Sequence, residues 1–82
     1  MIQLEIMTRP GCHLCEEMKE ALSRAGRGLD LLLKEIDISG DVELEKRHGT
    51  DIPVLFVNGR KAFKHRATEK ELRARLLRES SD

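Results

Sequence analysis

The sequence predicts an α/β domain in which a four-stranded mixed sheet is flanked by three helices, in the order strand, helix, strand, helix, strand, strand, helix. Three observations lead to this prediction. Segments whose apolar residues recur with the period of a strand alternate along the chain with segments of helical period. Two cysteines lie at the start of the first helical segment. An Asn-Gly step follows the most apolar run. The chain has 82 residues and only Phe56 and Phe63 as aromatics, so we expect one domain, residues 1–82, with an aliphatic core.

The first half of the chain is predicted to form a strand-helix-strand unit. Residues 2–7 alternate between apolar and polar side chains, which is typical of a strand. After a turn at Pro10-Gly11, apolar residues recur with helical period as far as Gly26 and Gly28, where we expect the helix to end. Residues 30–38 form a second apolar-rich strand, and a crossover of this kind is expected to be parallel and right-handed. The helical stripe consists of Leu14, Met18, Ala21, Leu22 and Ala25.

A short charged helix opens the second half. Residues 41–48 have little beyond Val42 and Leu44 to bury, and Gly49 follows them. We expect this helix to form a thin cover on one face of the sheet.

A hairpin and a last helix complete the prediction. Residues 53–57 form the most apolar run, and the Asn-Gly step after them indicates a tight hairpin to a fourth strand at about residues 61–64. Thr68 and Glu71 have the spacing of a capping box, which marks the start of a helix. We expect this helix to bury Leu72, Leu76 and Leu77.

Cys12 and Cys15 are the candidate reactive residues. Their spacing allows a disulfide across one helical turn, and a loop so short restricts the unfolded chain too little to be a useful structural cross-link. Unpaired amides and the positive end of the helix dipole favour an anion at a helix start. We therefore expect the pKa of the Cys12 thiol to be lowered and its thiolate to be populated at neutral pH. Cys15, one turn further along, should be more shielded.

Composition argues against several classes of function. Residues 59–78 carry eight Lys or Arg against two Glu, although the net charge of the whole chain is zero. Aromatic side chains that could stack on bases are nearly absent from this basic tract, so we expect no nucleic-acid partner. The first residues are too polar and too few for a signal peptide, and no apolar run could span a membrane. We expect a cytoplasmic location, where a CxxC pair is more often catalytic, redox-sensing or metal-binding than structural.

The Cys-His-Leu-Cys motif of residues 12–15, together with Ile52-Pro53 at the start of the third strand, resembles the thioredoxin fold in its small glutaredoxin-like form. The resemblance covers nearly the whole chain. It implies a thiol-disulfide oxidoreductase with Cys12 as nucleophile and Cys15 as resolving cysteine. It also implies a cis peptide bond before Pro53 beside the cysteines, with the backbone of Ile52 free to pair with an extended substrate.

Arg9 and His13 are further candidates for substrate binding or tuning. Arg9 matches a position where glutaredoxins often carry lysine, and its charge would favour both the Cys12 thiolate and an anionic substrate. His13 lies between the cysteines and, when protonated, would stabilise the same thiolate. We expect His48 and His65 to be surface residues without a role.

The resemblance is incomplete at the glutathione site. Glutaredoxins that bind glutathione usually have a Gly-Gly pair and an acidic step after the fourth strand, where this chain has residues 63–66, Phe-Lys-His-Arg. We therefore expect no bound cofactor, and glutathione as a reductant rather than a specific ligand. The expected substrate is a disulfide-containing protein or a low-molecular-weight thiol, with a reductase or glutathione as electron donor. We expect a monomer.

Two other functions stay open. The CxxC pair could bind a metal or an iron-sulfur cluster, but a closed zinc site needs four ligands and the sequence has no second CxxC, so we expect no metal site. Alternatively, the basic C-terminal hairpin and helix could form a non-catalytic binding module for RNA or an acidic protein.

Overall fold

The computed structural model describes residues 1–80, and these residues have the predicted order of elements. Every strand and the second helix begin and end within one residue of the predicted bounds. Within residues 1–80, no helix combines the length and apolar character needed to cross a bilayer. The strands are β1 (Ile2–Thr8), β2 (Leu31–Asp37), β3 (Val54–Val57) and β4 (Arg60–Lys64), and the helices are α1 (His13–Ala25), α2 (Val42–His48) and α3 (Glu69–Ser80).

The four strands form one mixed sheet in the order β2-β1-β3-β4. β1 is parallel to β2, as a strand-helix-strand crossover requires, and antiparallel to β3. β3 and β4 form the predicted hairpin, in which Asn58 and Gly59 both have positive φ angles, of 49° and 82°. This four-stranded mixed sheet with three helices confirms the predicted fold class.

Helices α1 and α3 cover the same face of the sheet and enclose the larger part of the core. Met18 and Leu22 of α1 and Leu72 and Leu76 of α3 are almost completely buried in one cluster with the strands. α1 ends at Gly26, the first of the two predicted stops. The strand residues of this cluster are Ile2, Leu4, Ile6, Leu55 and Val57.

Helix α2 lies on the opposite face and covers it only thinly, as predicted. It has no buried residue, and Leu44 alone of its apolar side chains packs against the second core cluster, which contains Met7, Ile38 and Val54. Val42, the first residue of the helix, is 67% exposed because it points away from the sheet.

The prediction for α3 is confirmed at its start and wrong at Leu77. The Thr68 Oγ1 accepts from the N–H of Glu71 at 3.0 Å, and the Glu71 carboxylate accepts from the N–H of Thr68 at 2.9 Å, which is a complete capping box. Leu77 is 44% exposed. Residues four apart share a helix face, so Leu72 and Leu76 point to the core together, and the next residue along is turned out of it.

Strand β2 forms one edge of the sheet and exposes apolar side chains that the sequence pattern assigns to a strand. Leu32 is 55% exposed and Leu33 is 41% exposed. The pattern predicts the strand correctly but does not say that only β1 would pair with it.

The capping box at the start of α3 generates the first prediction. We expect Thr68→Ala to lower the free energy of unfolding by about 1 kcal/mol, because the substitution leaves the N–H of Glu71 without its acceptor. Urea unfolding followed by far-ultraviolet circular dichroism measures the change. Thr50→Ala removes an exposed threonine from a loop and is the matched control; equal losses in both variants would contradict the assignment.

The same box makes stability depend on pH. The N–H of Thr68, followed by its hydroxyl, holds the pKa of the Glu71 carboxyl below its ordinary 4.5. A carboxyl whose pKa is lowered by folding stabilises the protein above its unfolded pKa and loses that contribution as the pH falls through the folded one. The stability advantage of the wild type over Glu71→Gln should therefore be full at neutral pH and shrink below about pH 4.5.

Candidate functional site

Cys12 is the residue that caps the N-terminus of α1. It follows a turn in which Gly11 has a φ of +78°, and its own backbone is extended, with φ −86° and ψ 107°. Its Sγ accepts a hydrogen bond from the N–H of Cys15 at 3.1 Å, and its carbonyl accepts from the N–H of Glu16 at 3.2 Å. The sulfur therefore occupies the place of the oxygen in an ordinary N-cap, where backbone amides favour a negative charge.

The two cysteines differ sharply in exposure. Cys12 is partly exposed to solvent, whereas Cys15 is only 1% exposed. The pair is joined as a disulfide, with the Cα atoms 5.2 Å apart. A substrate sulfur can approach Cys12 from outside, but it cannot reach Cys15 without displacing protein.

The peptide bond between Ile52 and Pro53 is cis, as the resemblance implied. In the antiparallel register of β1 and β3, Met7 lies opposite Val54, so the next pair along is Thr8 and Pro53. Thr8 is the last residue of β1 before the cysteine turn. The sheet register therefore brings the proline to the same end of β1 as the cysteines.

Ile52 combines a partly buried side chain with backbone groups that make no hydrogen bond to other described residues. Its side chain is partly buried against the second core cluster. Among the described residues, no backbone hydrogen bond joins the N–H or the carbonyl of Ile52 to another residue. These two groups are available to an extended ligand.

Among the described residues, Arg9 and His13, the other predicted site residues, donate no hydrogen bond to the sulfurs. The Arg9 guanidinium donates to the Glu45 carboxylate at 2.6 Å and so ties the cysteine turn to α2. His13 is the first residue of α1 and its side chain is exposed to solvent. The sequence predicts the positions of both residues beside the turn but not that Arg9 is already paired with a carboxylate.

A small polar cavity of about 140 Å³ lies behind Cys15, and the sequence gives no sign of it. Charged side chains from α1 and β2 line it, among them Lys19, Glu35 and Asp37. Lys19 donates to Glu35 at 2.8 Å and to Glu16 at 3.1 Å, and these bonds raise the pKa of Lys19, Glu35 having the larger effect. Cys15 is therefore in the wall of a cavity whose other side chains are mostly polar or charged.

The Asp37 carboxylate at the end of β2 also lines this cavity. The hydroxyl of Ser39, followed by its N–H, donates to this carboxylate and holds the pKa of Asp37 below its ordinary 3.8. Asp37 is therefore ionised at neutral pH.

A wider groove of about 430 Å³ begins beside the cysteines and runs between α1 and the loop that joins β4 to α3. Leu14, from between the two cysteines, lines it together with Glu17 on one side and His65 and Arg66 on the other. The groove is open to solvent and carries both signs of charge. A side chain or small molecule attached to a sulfur at Cys12 could extend into it.

His65, which we expected to be a surface residue without a role, holds the loop before Pro53. Its N–H donates to the carbonyl of Pro53 at 2.8 Å, and its ring Nε2 lies 3.1 Å from the carbonyl of Thr50 and 3.7 Å from Asp51. The side chain is about half exposed. The sequence does not reveal this link because residues 50–53 and 65 lie on opposite sides of the hairpin.

His48 is also placed differently from the prediction. Its ring is partly buried and meets Phe56 edge-on, with the ring centres 5.8 Å apart. Its Nδ1 is buried without a hydrogen-bond partner among the described residues. Residues 1–80 contain no cluster of three or more His, Cys, Asp or Glu that could hold a metal ion.

A protein-family model and a curated relative each match most of this chain. Residues 3–77 match the model of the glutaredoxin-like domain (DUF836). An uncharacterized protein of Mycobacterium tuberculosis is 30% identical, over 93% of this chain and 84% of the relative.

Solved protein structures resemble this chain in fold. A structural-genomics target protein from X. campestris has a TM-score of 0.80 and 33% identity, over 92% of this chain and 96% of the other. A mutant thioredoxin from Halobacterium salinarum has a TM-score of 0.60 at 19% identity, over 92% of this chain and 71% of the other, a likeness of fold alone. This chain therefore has the thioredoxin fold.

The geometry at the two sulfurs generates a prediction about their acidity. In a Cys15→Ser variant, we expect the pKa of Cys12 to lie below the roughly 8.5 of a free cysteine, because helix amides stabilise its thiolate. In Cys12→Ser, we expect the pKa of Cys15 to lie above it, because burial penalises the charged form. Thiolate absorbance near 240 nm against pH measures both, on a low background, since the chain has no Trp or Tyr. Two titrations that matched free cysteine would contradict this assignment.

Proposed function

Because the chain belongs to the family of glutaredoxin-like domains, we propose that it is a thiol-disulfide oxidoreductase that reduces or exchanges substrate disulfides. One observation carries the proposal. Two sulfurs that can bond to each other lie at the N-terminus of α1, one of them accessible and in a position that favours its anion, the other buried. This asymmetry gives the two cysteines different tasks.

The exchange begins with the dithiol form. The Cys12 thiolate attacks one sulfur of a substrate disulfide, a bond forms between Cys12 and that sulfur, and the other substrate sulfur leaves as a thiolate that takes a proton from water. Cys15 then loses its proton and attacks the Sγ of Cys12. The Cys12–Cys15 bond forms, the mixed disulfide breaks, and the second substrate sulfur leaves. The substrate gains two electrons and the protein pair loses two.

Regeneration requires an external reductant. We propose a reductase or glutathione in this role, in a reducing compartment such as the cytoplasm. Residues 63–66 lack the Gly-Gly pair and acidic step with which glutaredoxins hold glutathione, so glutathione is proposed as an electron donor and not as a specific ligand. No resident cofactor takes part in the exchange.

The second step needs a route for the proton of Cys15. This thiol is 1% exposed, and a thiol reacts as a nucleophile only when it is deprotonated. The polar cavity behind it, with Lys19 and three carboxylates in its walls, supplies such a route to water.

Substrate binding is proposed at the opposite side of the pair. The free backbone groups of Ile52 would bond to the chain of a disulfide-containing protein, as a strand is added to a sheet edge, with Pro53 beside them. A smaller thiol would lie in the groove that begins at Leu14. His65 supports both sites, since it fixes the loop before Pro53 and lines the groove.

Arg9 and His13 are proposed to tune the thiolate rather than to bind it directly. The pairing of Arg9 with Glu45 offsets part of its charge and also holds α2 against the cysteine turn. Titration of Cys12 in Arg9→Met and in Glu45→Gln separates these effects. If the charge of Arg9 acts on the thiolate as an unpaired cation, its removal raises the pKa of Cys12. If Arg9 acts as part of an ion pair, the loss of that pair changes this pKa little. His13→Leu tests the histidine in the same assay.

Mixed-disulfide trapping tests the proposed function. A Cys15→Ser variant should accumulate a covalent complex with a model disulfide, such as dithiobis(nitrobenzoic acid) or disulfide-bonded insulin, because the resolving thiol is missing. Cys12→Ser should give at least a hundredfold less of this covalent adduct, since its remaining thiol, that of Cys15, is buried. Non-reducing electrophoresis and mass spectrometry measure the adduct. Equal adducts in both variants, or none in either, would contradict the proposal.

A further inference from the structure

The free edge of β2 exposes apolar side chains outside the candidate site. The carbonyl of Asp30 accepts from the N–H of Ile2, so the backbone groups of Asp30, Leu32 and Lys34 point toward β1. The N–H and carbonyl groups of the alternate residues, Leu31 and Leu33, therefore point outward along the edge. Natural proteins usually protect such an edge with charges, prolines or bulges, and this one begins with three leucines.

An apolar groove lies beside this edge on the α1 side of the sheet. It has a volume of about 190 Å³, and Leu22, Leu31 and Leu33 line it. On the other side of the sheet, Leu32 is more than half exposed. Both faces of the edge thus present leucine side chains to solvent, and an added strand would cover both faces together.

We propose that a second copy of this chain covers the edge, with the two β2 strands antiparallel about a two-fold axis at Leu32. The two four-stranded sheets would then form one continuous sheet of eight strands. Leu31 of each copy lies opposite Leu33 of the other and exchanges backbone hydrogen bonds with it, which requires the outward groups that these two residues have. Leu32 meets Leu32 of the second copy on the other face.

Charge also fits this register. With Leu32 on the axis, Lys34 of each copy lies opposite Asp30 of the other, on the same face of the sheet, so two ion pairs flank the leucines. Both side chains are exposed in the single chain and no ion pair occupies them among the described residues. The segment from Asp30 to Lys34 is therefore complementary to itself in both charge and apolar character.

The neighbouring registers fit less well. With the axis at Leu33, Leu32 would lie opposite Lys34 and Leu31 opposite Glu35 of the second copy, so leucine would face charge on both sides of the sheet. With the axis at Lys34, the two lysines would face each other, and like charges directly opposite destabilise a strand pair. The register at Leu32 is the one that pairs leucines with leucines and opposite charges with each other.

The proposed dimer differs from the monomer that we expected from the sequence, and it leaves the groove beside Leu14 open. The edge strand β2 and the hairpin strand β4 are at opposite ends of the sheet. The groove beside Leu14 runs toward α3, on the β4 side, and Cys12 caps α1 at the end of β1. A second copy on β2 therefore lies at the other end of the sheet from this groove.

Sedimentation equilibrium with an added reductant tests the proposal. The wild type should have about twice the 9.4 kDa mass of the chain, with dissociation on dilution. Leu32→Lys should sediment as a monomer at the same concentrations, because it places two cations on the axis. Val42→Lys is the matched control, since Val42 is exposed on another element, and should still dimerise. Circular dichroism checks that each variant is folded.

Cross-linking tests the register. In a Cys12→Ser/Cys15→Ser background, L32C should form a disulfide-linked dimer at least tenfold faster than K34C, because residues on the axis in a non-hydrogen-bonded pair have Cα atoms about 4.5 Å apart. A wild type that stays monomeric overturns the proposal. So does a dimer that Leu32→Lys leaves intact, or one that cross-links faster through L33C or K34C.

Discussion

The backbone amides at the start of α1 need an acceptor, and the structure satisfies this need with a sulfur. An N-cap oxygen from Ser, Thr, Asp or Asn usually accepts these hydrogen bonds. Here Cys12 accepts from the N–H of Cys15. In the reduced protein the same amides would stabilise a Cys12 thiolate, and the chemistry proposed for the chain depends on this.

The rest of the fold holds that sulfur in place. α1 is anchored by the buried stripe of Met18, Leu22 and Ala25, so its N-terminus cannot move away from the end of β1. The central position of β1 matters as much. Because β1 pairs with β3 on its other side, Pro53 comes to the end of the strand from which the cysteine turn departs. The reactive residue, its buried partner and the loop proposed to bind substrate therefore all depend on the order of strands in one small sheet.

Features that follow from neighbours in sequence were predictable. The helix start at Cys12, the hairpin at Asn58 and the capping box at Thr68 each depend on residues within one turn of each other, and all three are found. Contacts between distant residues were not predictable, since the spacing of Arg9 and Glu45, or of His65 and Thr50, contains no signal for an ion pair or a ring contact. Leu77 was misjudged for a similar reason, because periodicity gives the direction of a side chain only to within one residue of the stripe. The open edge of β2 was missed because the pattern of apolar residues in a strand does not distinguish the edge of a sheet from its centre.

The account is tested most directly by the reduction potential of the Cys12–Cys15 couple, measured against dithiothreitol and glutathione buffers, with alkylation and mass spectrometry to separate the two forms. A pair built for exchange should titrate as one two-electron couple between about −270 and −200 mV, the range of thioredoxins and glutaredoxins. A potential below about −300 mV is typical of a structural disulfide. Such a value would contradict the claim that Cys12, as the N-cap of α1, forms a disulfide with Cys15 that is readily reduced and re-formed.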